Sequence, residues 1–118
     1  MKRIISLITV LVLCTMLLAV PAAAASGECG PSVTYTLENG VLTISGTGST
    51  TEFTRNSELD TVNTPWWEQR ESVTTIVVEE GVTCLDNYCF YGFANLTSVT
   101  LPSTLERVET RVFAKCPS

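Results

Sequence analysis

Residues 73–118 lie over themselves at an offset of 23 residues. Val73 falls on Leu96, Ile76 on Val99, Val78 on Leu101, Val82 on Leu105, Leu85 on Val108 and Phe90 on Phe113, while Phe93 meets Cys116. Every apolar landmark meets another, and the residues between them vary freely. A fixed period of this length means one supersecondary unit per period. Such a unit is too small to bury its own hydrophobic face and must stack on neighbours. Two units are present, 73–95 and 96–118. One more step back sets Val73 on Thr50 and Val78 on Arg55, and the pattern breaks.

Spacing within each unit predicts its path. Period-two alternation makes 75–78 and 98–101 strands, with Ile76, Val78, Val99 and Leu101 turned inward. Glu79-Glu80-Gly81 and Pro102-Ser103 are turns, 82–85 and 105–108 are extended return segments, and the stretches around Phe90 and Phe113 close the coil.

Ahead of the repeats, Asn39-Gly40 is a two-residue hairpin signal, because a type I′ turn needs positive φ at both centres. That turn pairs Leu37 with Leu42, Tyr35 with Ile44 and Val33 with Gly46, and it collects Val33, Tyr35, Leu37, Leu42 and Ile44 on one face. A lone hairpin is marginal in water, so this face needs a core to cover. Residues 46–63 are polar and Gly/Ser/Thr-rich at their start and are expected to be a long loop. Thr64-Pro65-Trp66-Trp67 is expected to open a helical turn with Thr64 as N-cap. The two tryptophans have two readings: a plug between hairpin and repeats, or an exposed aromatic pair for contact with a carbohydrate or protein.

The N-terminus has the layout of a secretory signal peptide. Lys2 and Arg3 precede the apolar run 4–20, and Pro21 with Ala22 to Ala25 offers a small-residue cleavage site near Ala25. Loss of residues 1–25 removes two of the seven basic residues against twelve acidic, so the net charge falls from −5 to −7. Such an acidic surface excludes nucleic acid and anionic membrane as partners, since both need clustered Lys and Arg. The chain has no histidine, which removes Ser-His-Asp and Cys-His catalysis and histidine metal ligands. No segment frames a carboxylate pair with the surroundings that acid–base work needs. The reading is therefore no enzyme, no cofactor and no metal.

The string Ile76-Val-Val-Glu-Glu-Gly-Val-Thr-Cys-Leu85, then Cys89-Phe90-Tyr-Gly92 and Asn95-Leu-Thr-Ser-Val-Thr-Leu-Pro102, resembles leucine-rich repeats of the BspA type. Leu105-Glu-Arg-Val108 and Val112-Phe113-Ala-Lys-Cys116 fit the same pattern, and Cys29-Gly30, Leu42-Thr-Ile-Ser-Gly-Thr-Gly48 and Pro65-Trp66 resemble its lead-in segment. Cys89 and Val112 replace the small residue usual before the Phe, and Phe93 stands where Cys is common; both changes keep the sites apolar. The resemblance implies a secreted or cell-surface protein, described in its family as adhesin-like, with no catalytic activity. The expected fold is mainly β: a signal peptide at 1–25, a hairpin cap with its loop at 26–72, and two repeats at 73–118 that start a solenoid.

The expected role is a non-catalytic binding or adhesion module. Its expected face is made of outward strand positions Thr75, Val77, Glu79, Ser98 and Thr100, because repeat solenoids present their strands as a platform. An extracellular protein or glycan, bound weakly and multivalently, is the expected partner. The alternatives are a truncated structural cap without a ligand of its own and an accessory module of a downstream enzyme. No polar capping unit follows the second repeat, so its open edge is also expected to self-associate. Cys29, Cys84, Cys89 and Cys116 are candidates for disulfides, with three connectivities open. Cys89 and Cys116 read first as small core residues on stacked turns, while Cys84 matches Arg107 in the next unit and is expected to be exposed and the readiest of the four to react or be bridged. Asn95-Leu96-Thr97 matches a glycosylation sequon, which matters in a eukaryotic secretory route.

Overall fold

Asn39 and Gly40 both take positive φ, 52° and 80°. Their turn joins β2 (Val33–Glu38) to β3 (Val41–Gly46), and the pairs Val33–Gly46, Tyr35–Ile44 and Leu37–Leu42 form as the alternation dictates. The computed structural model describes residues 24–117, so the leader expected over 1–25 lies outside the described residues except for its last two.

The hairpin has a third strand. β1 (Ala25–Gly30) pairs antiparallel with β2, Ala25 opposite Leu37. Its sequence, Ala-Ser-Gly-Glu-Cys-Gly, carries no apolar alternation, so the strand exists because the backbone of β2 offers it an unpaired edge.

β3 pairs in parallel with β7 (Thr75–Val78), Val41 opposite Thr75 and Ile44 opposite Val78. β7 in turn pairs in parallel with β9 (Ser98–Thr100), which completes a five-stranded sheet of order β1-β2-β3-β7-β9. A second, parallel sheet runs β10-β8-β4, from β4 (Gly48–Ser49), β8 (Val82–Leu85) and β10 (Arg107–Val108). The hairpin is thus more than a cap. β3, its turn and β4 form a coil of the solenoid, stacked beneath β7, its turn and β8.

This coil escapes a 23-residue comparison because its offset is 34 residues, as between Ser45 and Glu79. The extra chain belongs to the excursion between β4 and β7. The long loop expected at 46–63 holds β4 and a small antiparallel pair, β5 (Arg55–Asn56) with β6 (Thr61–Val62), and buries Thr50, Phe53 and Val62. Between the two repeats the offset is 23, as in the bond from the Thr97 hydroxyl to the Thr74 carbonyl.

Trp66 is fully buried at the junction. Its ring meets Tyr35 at 5.2 Å and Phe53 at 5.9 Å, both edge-on, and Phe90 at 6.1 Å. Its Nε1 donates to the Cys89 carbonyl at 3.1 Å, which satisfies the one polar atom that burial would otherwise strand. The helix starts later than expected. A 3₁₀ helix spans Trp67–Ser72 with Trp66 at the N-cap and no side-chain cap bond. Thr64 does not cap it with its hydroxyl, which is buried without a partner; its carbonyl accepts from Trp67 N at 3.1 Å. Sending Trp66 into the core displaces the start of the helix past it.

The second repeat departs from expectation in burial. Ile76 and Val78 are buried, but Val99 is 37% exposed and Leu101 43%. β9 ends at Thr100, and the return strand is only Arg107–Val108 rather than 105–108. Inward-facing side chains of a coil are covered by the coil after it, and none follows this one among the described residues.

The turns stack as closely as the strands. Gly81 has φ +109°, and a methyl group there would strike the carbonyl oxygen of Gly46 in the coil below. Gly48 also has positive φ but faces open space. Alanine at Gly81 is therefore expected to destabilise well beyond alanine at Gly48, since backbone strain is common to both and the clash belongs to Gly81 alone. Trp66→Ala is expected to cost about 3–5 kcal/mol. Urea unfolding followed by circular dichroism measures both effects.

Candidate functional site

Residues paired across strands point to the same side of a sheet, so the register identifies the platform. Thr75 lies between Val41 and Ser98, and Val77 lies between Thr43 and Thr100. The rows continue through β2 and β1. Thr43 faces Thr36, which faces Ser26; Ser45 faces Thr34, which faces Glu28; Val41 faces Glu38. All of these side chains are exposed or half-buried, while the residues between them along β2, β3 and β7 are buried.

The structure therefore brings Thr75, Val77, Ser98 and Thr100 together on one surface, with Glu79 just beyond the end of β7. Glu79 N donates to the Ile44 carbonyl at 2.9 Å, and its Oε1 accepts from the Ser45 hydroxyl at 2.7 Å. The expected face is only half of this surface. The other half is Ser26, Thr34, Thr36, Thr43 and Ser45, with Glu28 and Glu38 at the margins. A signal for them was present in the Thr-x-Thr and Thr-x-Ser alternation of 34–36 and 43–45. Nothing in the sequence joins that alternation to Thr75, because their offset departs from the repeat period.

Chemically the surface is an array of eight hydroxyls spaced by the sheet itself, about 4.8 Å between strands and about 6.6 Å along them. Each hydroxyl both donates and accepts hydrogen bonds. Three carboxylates give the array a negative margin, and no Lys or Arg stands among these paired positions. The chain holds no histidine to activate a hydroxyl. The arrangement suits hydrogen bonding over an area more than chemistry at a point.

The tryptophans do not form an exposed pair. Trp66 is the core plug, and Trp67 is half-buried with its ring engaged. The Arg70 guanidinium sits 3.8 Å from the Trp67 ring centroid, and Tyr91 stacks beside it at 6.4 Å. Tyr91 belongs to a polar knot that ties the β5–β6 excursion to the first repeat. Its hydroxyl donates to Asp60 Oδ1 at 2.7 Å, and Arg55 Nε donates to the same oxygen at 2.8 Å.

The four cysteines are free thiols in the structure. Cys29 and Cys89 are buried, and Cys116 is half-buried with its thiol 3.1 Å from the Phe90 carbonyl. Cys84 is 4% exposed, not exposed as its match to Arg107 suggested. It sits in the middle strand of the second sheet, beneath Arg107, whose Nη2 lies 3.7 Å from its sulfur. The long Arg side chain of the next coil covers the position, and a smaller residue above it would leave the thiol open. Besides the sheet face, an open cleft of about 450 Å³ lies between the end of β1 and the excursion, walled by Cys29, Pro31, Thr51, Phe53 and Pro65, with Glu28 the one acidic residue in its lining.

The family model described as a BspA-type leucine-rich repeat region matches residues 34–118. A solved crystal structure of a leucine-rich repeat protein from Eubacterium ventriosum is similar to this chain, with a TM-score of 0.71 and 29% identity over 80% of this chain. The match spans 24% of the length of that protein. No curated protein matches.

The polar knot yields a pH prediction. The Tyr91 hydroxyl, then Arg55, holds Asp60 below its ordinary value of 3.8. A depressed carboxylate stabilises the fold above the unfolded-state value, and that contribution is lost as pH falls through the folded one. Tyr91→Phe is expected to move the Asp60 midpoint upward toward 3.8 and to loosen β5–β6 at a higher pH than in the parent chain. An NMR acid titration of the Asp60 side chain and the β5–β6 amides reads both effects.

Proposed function

This chain belongs to the BspA-type leucine-rich repeat family, and from that premise we propose that it is a non-catalytic binding module working at a cell exterior. On this reading residues 1–25 are a signal peptide that is removed, residues 26–72 open the solenoid, and residues 73–118 continue it. The partner is an extracellular protein or glycan, and the outer face of the five-stranded sheet is what meets it.

One observation carries the reading: eight hydroxyls and three marginal carboxylates share the outer face of all five strands, with Val41 and Val77 the apolar residues in their rows. A ligand rich in hydroxyls or amides, with small apolar patches of its own, matches such a face. Each exposed hydrogen bond contributes only about 0.5–1.5 kcal/mol net, so single contacts are weak and strength comes from repetition along a longer array. A second reading has its own support. Val99, Leu101 and Val108 are exposed at the last coil, as expected of a structural opening unit whose ligand-binding coils lie elsewhere, or of an edge that pairs with another copy.

The test displays the chain multivalently on beads against immobilised glycans and extracellular matrix proteins. Saturable binding that drops about tenfold or more in Thr36→Lys/Thr43→Lys/Thr75→Lys, with the melting temperature nearly unchanged, is the expected outcome. Absence of saturable binding, together with association abolished by Val99→Lys, would establish the opening-unit reading instead.

A further inference from the structure

The exposed apolar side chains of this molecule gather at one end. Among the described residues the large hydrophobics open to solvent are Leu59 on the excursion and Val99, Leu101 and Val108 on the last coil. The residues they match one coil below, Ile76, Val78 and Leu85, are buried. β9 and β10 are also the terminal strands of their sheets, so backbone donors and acceptors lie open beside those side chains. The opposite edges, β1 and β4, carry no exposed large hydrophobic residue.

The open end is complementary to itself read backwards. On β10, Arg107 and Glu109 flank Val108, with Arg107 Nε 3.3 Å from Glu109 Oε1. An antiparallel neighbour centred on Val108 sets Arg107 opposite the second Glu109, Val108 opposite Val108, and Glu109 opposite the second Arg107. On β9 the same operation centred on Val99 sets Ser98 opposite Thr100. One two-fold axis serves both centres. Val99 stands three residues before Pro102 and Val108 three residues after Leu105, and the bond from Leu105 N to the Pro102 carbonyl at 3.2 Å closes the turn between them. Both legs of the coil therefore meet the axis at the same distance from the turn.

Charge beyond the strands selects this orientation. Arg111 and Lys115 are exposed on the corner at one end of the coil. At the other end Glu106 follows the turn, and Glu80 accepts from the Ser103 hydroxyl within it at 3.0 Å. A copy turned end for end lays its corner over this turn, cation to carboxylate. A copy rotated about the strand direction instead would lay corner on corner and turn on turn, like charge on like.

We propose that two copies of this chain join through β9 and β10 as an antiparallel, two-fold pair. Each copy covers Val99, Leu101 and Val108 of the other, fills both open strand edges, and crosses Arg107 with Glu109 on either side of the axis. β9 against β9 continues the five-stranded sheet, so the two hydroxyl faces become one surface. That continuity serves the binding role proposed above, while the pairing itself stands apart from it.

Sedimentation equilibrium of the full chain follows the pairing, and native mass spectrometry counts mixtures of tagged variants. The parent is expected to be dimeric at about 100 μM. Arg107→Glu and Glu109→Arg are each expected to dissociate about tenfold more readily, and Arg107→Glu/Glu109→Arg to recover the parent's affinity. Circular dichroism checks that every variant keeps its β structure. In a mixture the two single variants each repel themselves and attract the other, so heterodimers are expected in about tenfold excess over random pairing. Association by any other surface, the apolar run 4–20 included, ignores these two charges. A parent that is monomeric at that concentration, or random pairing in the mixture, overturns the proposal. No ligand enters the experiment, so this pairing and the binding reading can fail separately.

Discussion

The parallel pairing of β3 with β7 is the constraint on which the rest of this structure depends. Without it, the chain would offer only a three-stranded antiparallel sheet with one bare apolar face and a repeat that cannot bury its own landmarks. The pairing sets Leu42 beside Ile76 and Ile44 beside Val78. Two half-cores become one, and two half-faces become a single outer surface. A slip of one residue would turn every one of these side chains to the other side. The close approach of Gly81 to the Gly46 carbonyl and the bond from Gly48 N to the Gly81 carbonyl at 3.0 Å hold the register at the next turn.

Trp66 makes that pairing worth forming. A ring of its volume fills the space that the twisted sheet and the corner at Phe90 leave between them. Its Nε1 bond to the Cys89 carbonyl lets the indole be buried without leaving a polar atom unmet. From there upward the coils are tied by side chains that bond the backbone of the adjacent coil at the repeat offset. Glu80 Oε1 accepts from Ser103 N at 3.0 Å, Asn87 Oδ1 accepts from Thr110 N at 3.0 Å, and the Thr104 hydroxyl accepts from Gly81 N at 3.0 Å. Turn backbones between stacked coils lack ladder partners, and these short polar residues provide them. The same stacking keeps the outer rows straight: outer side chains of successive coils align because the coils below them are bonded turn to turn.

Much of this was legible in advance, and the reasons differ by element. The β2–β3 register followed from Asn-Gly and two agreeing alternations, which is local information. β7 followed from period-two spacing inside the repeat, and β8 from its place as the extended return segment after the turn. β1 was not legible, since Ser26, Gly27 and Glu28 show no pattern and the strand is made by the neighbouring edge. Cys84 was misjudged because comparing two units assigns it the exposure of Arg107, while in the fold one covers the other. The outer face of the sheet was read for its repeat half only. The excursion through β5 and β6 hides the third coil from any comparison at a single period.

The sequence by itself determined the family, the hairpin with its register, and the strand positions whose side chains turn outward, because each rests on spacing between neighbours in the chain. Only the tertiary structure decided that the hairpin is a coil of the solenoid, that Trp66 is the plug and Trp67 the flank, and that Cys29 and Cys89 share one apolar cluster. Those outcomes depend on which strand edge meets which across 34 residues of offset. Parallel pairing at that distance is set by the burial it completes, and no local pattern records it.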